Sequence, residues 1–185
     1  MPAFYLTLLA VLLAGIGGRD QQTVAGLVQR QGARPGVLIV AIVSSLLVCV
    51  AAIWFARFML TTLPPPARAI FGAIALGLAG AESLLLAPRR KPVEPTNSLG
   101  ALALVLLAQQ VSDAPRFLLV GMAVAMGAPY AAGAAGAFGT LALVGLAWAL
   151  PELVLDGKVR WARRAAGGVL LLVASFIALS QMGIL

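Results

Sequence analysis

The sequence predicts an all-α integral membrane protein with six transmembrane helices arranged as two inverted three-helix repeats. Three observations lead there. Of 185 residues, 62% are hydrophobic and only 10% charged, whereas a soluble domain averages about 45–50% apolar and about 25% charged. Apolar runs recur at close to the roughly 20 residues that cross a bilayer, and short loops rich in Pro and Arg separate them. The two halves of the chain also share an ordered set of matched positions.

The first span, Pro2 to Gln29, is interrupted by Gly15, Gly17, Gly18, Arg19 and Asp20. Its opening run looks like the apolar region of a signal peptide but lacks the basic start of one. The repeat also needs this segment, so it is expected to stay in the mature protein. The loop QRQGARPG leads to the second span, Val37 to Leu60. The turn TTLPPPA follows, with three consecutive prolines that cannot continue a helix, and the third span runs from Arg68 to Ala87. A basic, Pro-rich linker at 88–97, assigned to the cytoplasm, divides a first repeat (1–87) from a second (98–185). The fourth span, Ser98 to Met126, carries Gln109, Gln110, Asp113 and Arg116 in its middle. GAP separates it from the fifth, Tyr130 to Leu150, and PELVLDGKVR precedes the sixth, Trp161 to Met182.

Setting Gly15 against Gln110 also pairs Gly26 with Gly121, Ala67-Arg68 with Ala162-Arg163, and Gly72 with Gly167. A register one residue shorter pairs Pro35 with Pro129 and Trp54 with Trp148. With three crossings per repeat, the second copy enters from the opposite face, as in many secondary transporters. On the face of the first, third and fifth connections lie nine basic residues: Arg30, Arg34, Arg89, Arg90, Lys91, Lys158, Arg160, Arg163 and Arg164. The opposite face has two, Arg57 and Arg68. The positive-inside rule puts the first face in the cytoplasm and both termini outside.

Several function classes drop out. The net charge of +7 would point to nucleic acid in a soluble chain, but loops flanking apolar spans account for it, and no nucleic-acid partner is expected. There is no histidine, which excludes a Ser-His-Asp triad and a His-based zinc site. The single cysteine, Cys49, excludes an intrachain disulfide and reads as a small lipid-facing or packing residue. Trp54, Trp148 and Trp161 read as interface anchors, and the run Ala131 to Gly139 as a close helix-packing face. No nucleophile–base set appears, so the chain is not expected to be an enzyme or to hold a cofactor. The lipid bilayer is the expected partner, and small-residue faces permit a homodimer or a membrane partner subunit.

Chemistry is expected where GIGGRDQQ in the first span meets QQVSDAPR in the fourth. An ionisable residue deep in hydrocarbon is costly and by default functional. Broken helices are tolerated there only where protein or a water-filled cavity satisfies the freed backbone groups. Oxygen donors from Asp113, Gln110, Asp20 and Gln21 would suit a hard cation such as Ca²⁺ or Mn²⁺. Arg19 and Arg116 are the expected ion-pair partners, Arg116 lying three residues after Asp113. Glu82 either reaches toward Arg89 and Arg90 at the interface or completes the site.

In length, helix count, motif position and basic central linker, the chain resembles the Gdt-type (calcium/manganese):proton exchangers. These are small membrane proteins with two three-helix repeats, each carrying Glu-x-Gly-Asp-(Lys/Arg)-(Ser/Thr) in its first helix. Gly15-Ile16-Gly17-Gly18-Arg19-Asp20 stands at the first motif, keeping its Gly and its basic residue. Gln110-Val111-Ser112-Asp113-Ala114-Pro115 stands at the second and keeps its Asp. The resemblance implies a bacterial inner-membrane transporter that moves Ca²⁺ or Mn²⁺ against protons through a midplane site. The alternative is a non-transporting structural or accessory subunit whose intramembrane charges pair to hold helix register.

Overall fold

The computed structural model describes residues 2–86 and 98–184, and over them the chain is helical throughout, with no strand. The linker at 88–97, with Arg89, Arg90 and Lys91, lies outside the described residues. In order come α1 (Pro2–Gly15), α2 (Arg19–Gln31), α3 (Pro35–Thr62), α4 (Pro65–Leu85), α5 (Leu99–Val111), α6 (Ala114–Ala125), α7 (Pro129–Ala149), α8 (Pro151–Leu155) and α9 (Gly157–Gln181). Among them α3, α4, α7 and α9 are long and apolar enough to cross a membrane. The pairs α1/α2 and α5/α6 are bent by 55° and 50° at their breaks, and counting each as one span brings the total to six.

Proline sets most helix starts. Pro35, Pro129 and Pro151 open α3, α7 and α8, where the missing N–H has no intrahelical partner and φ is already helical. The same rule revises the reading of TTLPPPA. Pro64 caps α4, and Pro65 and Pro66 form its first turn, so the prolines begin the next helix rather than filling a loop. Arg68 reaches back from there, donating to the Leu60 and Leu63 carbonyls at 3.1 and 3.2 Å and satisfying the end of α3. The segment expected as the last loop also departs from expectation. It folds a short helix, α8, whose Val154 is buried against α2. Asp156 then caps α9, accepting from the Lys158 amide at 3.0 Å. Arg160, Arg163 and Arg164 are therefore helical residues of α9.

Close helix approach organises the packing. In lipid, helices gain little from hydrophobic burial and rely on contact between small residues. Three glycines of α7 face three different helices: Gly133 meets Ile53 of α3, Gly136 meets Leu119 of α6, and Gly139 meets Val11 of α1. On α4, Gly72 faces Gly121 and Ala125 of α6, while Gly80 packs against the Gly167 backbone of α9. Cys49 is buried in this core, its Sγ 3.8 Å from Thr140 Oγ1. Outward surfaces carry large apolar side chains such as Leu13, Val50, Trp54, Leu104, Trp161 and Leu172, the pattern expected of lipid-facing helices.

A Cβ at Gly80 would lie 2.8 Å from the Gly167 carbonyl oxygen and 3.0 Å from the Leu171 amide nitrogen. Backbone cannot give way as a side chain can. Gly80→Val is therefore expected to destabilise the protein by about 1–3 kcal/mol, measured as thermal unfolding in detergent. An unchanged midpoint would mean that α4 and α9 stand further apart.

Candidate functional site

The two breaks meet. At the first, Gly17 takes φ +72°, a left-handed conformation that disfavours any side chain. Gln21 braces the gap: its Oε1 accepts from the Gly17 amide at 3.1 Å and its Nε2 donates to the Gly15 carbonyl. Both hydrogen-bonding groups of its amide thereby bond the backbone of the break. At the second break Asp113 caps α6, accepting from the Ala114 amide at 3.0 Å. The Ser112 carbonyl accepts from Arg19 Nη2 at 2.7 Å. At each break protein groups meet freed backbone groups, as a broken helix in a membrane requires.

Gly18 lies between the carboxylates. A Cβ built there would lie 2.9 Å from Asp20 Oδ1 and 3.2 Å from Asp113 Oδ2, so the two acids converge on one point that no side chain can share. Asp20 sits in the first turn of α2 and Asp113 caps α6, each at the positive end of a half-helix dipole. Gln110, fully buried, completes the group. Its Nε2 donates to Asp20 Oδ2 at 3.2 Å and to Ser45 Oγ at 2.8 Å. Among the described residues its Oε1 has no hydrogen-bond partner, and such orphaned buried acceptors are rare.

A chain of ion pairs runs beside this point. Arg19 Nε lies 3.1 Å from Glu82 Oε1. Arg163 Nη2 bonds Glu82 Oε2 and lies 3.3 Å from Asp113 Oδ1. Two expectations are corrected here. Arg163 was counted with the cytoplasmic loop charges, yet it is 3% exposed, because α9 starts early and packs along α4. Arg116, the expected ion-pair partner of Asp113, acts on it electrostatically but makes no ion-pair contact with it among the described residues. Helical i, i+3 geometry fails at a cap: Asp113 is extended (φ −99°, ψ 150°), its carboxylate bends over the helix end, and Arg163 takes it. Glu82 likewise points inward, toward Arg19 and Arg163. Asp20 makes no ion pair among the described residues and is held by neutral donors, Gln110 and the Gln21 amide at 2.7 Å.

Sequence reasoning missed Arg163 and Ser45. A signal for Arg163 existed: Glu82 lies inside an apolar run, where an acid is paired by default, so a cation from another span was required. Ser45 carried none, since the pair Ser44-Ser45 in an apolar helix reads equally well as small residues at a helix-packing face. Among the described residues no group of three or more His, Cys, Asp or Glu is arranged to hold a metal ion. Both Glu82 oxygens are occupied by guanidinium groups, which leaves the carboxylates of Asp20 and Asp113 at Gly18.

Fold and site together define a multi-span helical membrane protein with two broken helices meeting at a buried polar cluster. Comparison with family models, curated proteins and solved structures finds no match.

Removing one partner of a buried ion pair strands the other and costs about 3–5 kcal/mol. Glu82→Gln removes the ion-pair partner of Arg19 and one of the two partners of Arg163, and is expected to destabilise by about that range, measured by thermal unfolding in detergent. Adding Arg163→Met is expected to recover part of the loss, because charge balance returns. Strict additivity of the two changes would indicate that the residues do not interact.

Proposed function

We propose that the chain is a bacterial inner-membrane transporter, related in architecture to the Gdt-type cation/proton exchangers, carrying a Ca²⁺- or Mn²⁺-class cation through the point where its broken spans meet. The observation that carries this reading is the convergence of Asp20 Oδ1 and Asp113 Oδ2 on Gly18, with Gln110, whose Oε1 is unpartnered among the described residues, bonded to Asp20 through its Nε2. All three are hard oxygen donors. Gly18 stands where the family motif has its first Asp, and Asp20, two residues on, brings a carboxylate to that same space.

An inverted repeat of residues 1–87 and 98–185, with both termini outside, fits the exchange of packing partners. The helix α1 packs on α7 as α5 packs on α3, and α6 touches α3 as α2 touches α7. Pro35 and Pro129, matched in sequence, both open long helices. Sites at the midplane between broken helices are the common plan of such transporters.

The ion-pair chain Arg19–Glu82–Arg163–Asp113 favours a second reading. A duplicated bundle whose charges only hold register would serve as a structural or accessory subunit of a membrane complex, alone or as a homodimer. Asp20 separates the two, because it makes no ion pair among the described residues and its loss strands no cation. In proteoliposomes, Asp20→Asn is expected to abolish Mn²⁺ or Ca²⁺ uptake while keeping a near-native melting temperature. Added Mn²⁺ or Ca²⁺ is expected to raise the melting temperature of the wild type, as ligand binding to the native state must. No uptake by the wild type and no shift at millimolar metal would favour the accessory subunit.

A further inference from the structure

A cavity of about 400 Å³ lies between α3 and α4, with α6 as its floor. Its walls are apolar, including Phe55 of α3 and Phe71 of α4, and its rim includes Ile74 and Val111, which are 57% and 63% exposed. The opening therefore lies on an apolar side surface, which in a membrane faces lipid chains. One charged side chain lines it: Arg116, 3% exposed. Among the described residues its buried Nε and Nη2 have no hydrogen-bond partner. The guanidinium thus brings unmet donors to the cavity wall. The nearest acid in sequence, Asp113, is taken by Arg163 and the Ala114 amide.

We infer that this cavity binds a single-chain anionic amphiphile, a fatty-acid carboxylate, with its head on Arg116 and its chain along the groove between α3 and α4. Asp113 acts on this guanidinium only at longer range; a buried guanidinium that no carboxylate contacts is costly at this depth, and a carboxylate is its natural partner. Inorganic anions do not reach a site that opens into hydrocarbon, whereas an amphiphile partitions there. Arg116 lies at the mid-span break, and a bulky phospholipid head would have to be drawn far from the interface to meet it. A fatty acid brings the smallest anionic head and one chain, which a cavity of this size accommodates. The inference is independent of transport, since it uses none of Asp20, Asp113 or Gln110.

The test uses the full chain in phosphatidylcholine nanodiscs and a palmitate probe carrying a photoactivatable diazirine. Saturable labelling is expected, at one probe per chain, on cavity-facing peptides of α3, α4 or α6. A fatty alcohol of the same length, with no anion, is expected to bind more weakly by about tenfold or more, the loss of one charge-assisted hydrogen bond. Arg116→Gln is expected to show a similar loss. Ala51→Trp, at an exposed position on the cavity wall, is expected to block labelling by filling the groove. Equal binding of acid and alcohol would overturn the inference, as would unaltered labelling of Ala51→Trp. Displacement of the probe by equimolar phosphatidic acid would assign the groove to a phospholipid instead. If Arg116→Gln fails to fold, the acid–alcohol comparison on the wild type and the Ala51→Trp variant still decide.

Discussion

The constraint on which the rest depends is that charge inside a bilayer must be answered by charge or dipole within the protein. Glu82 is answered twice, by Arg19 and Arg163, and Arg163 continues to Asp113. These four residues come from α4, α2, α9 and the cap of α6. A single electrostatic chain thus sets the relative height of four helices that lipid alone would let slide. Small residues then bring the backbones close enough for the chain to close. Gly80 against Gly167 sets the approach of α4 to α9, and Gly72 against Gly121 sets α4 on α6.

The broken helices follow from the same requirement. A helix running straight through would bury its carbonyls and amides in its own hydrogen bonds and bring none to the centre. Breaking it frees two ends, and each end here carries an aspartate in or beside the first turn of the following half-helix. The freed groups are met by Gln21 at one break and by Arg19 and Asp113 at the other. Glycine at 17 permits the turn and glycine at 18 leaves room for both carboxylates. Gln21, Arg19, Glu82 and Arg163 bond across the breaks and between the helices, while Asp20 Oδ1 and Asp113 Oδ2 converge at Gly18.

Much of this was legible in the chain. The six apolar segments and the interruptions at Gly15–Asp20 and Gln110–Arg116 stand out because hydropathy and helix-breaking residues are local properties. Other features needed the fold. Whether Pro64, Pro65 and Pro66 end a helix or begin one depends on which side has helical partners. Whether Arg163 lies in a loop depends on how far α9 extends toward α8, and whether Gln21 is a ligand depends on which backbone groups the break leaves open.

Composition and the spacing of apolar runs by themselves determined a helical, membrane-spanning chain with two polar interruptions. The reason is that hydrocarbon selects for apolar helices residue by residue and tolerates few exceptions. Which charges pair was decided only in three dimensions. Arg116 is three residues from Asp113 in sequence yet turned toward an apolar cavity, while Arg163, far along the chain, reaches the carboxylate. Ion pairing is a matter of a few ångströms between side chains on different helices, and the cap geometry at Asp113 and the approach of α9 to α4 exist only once the helices have packed.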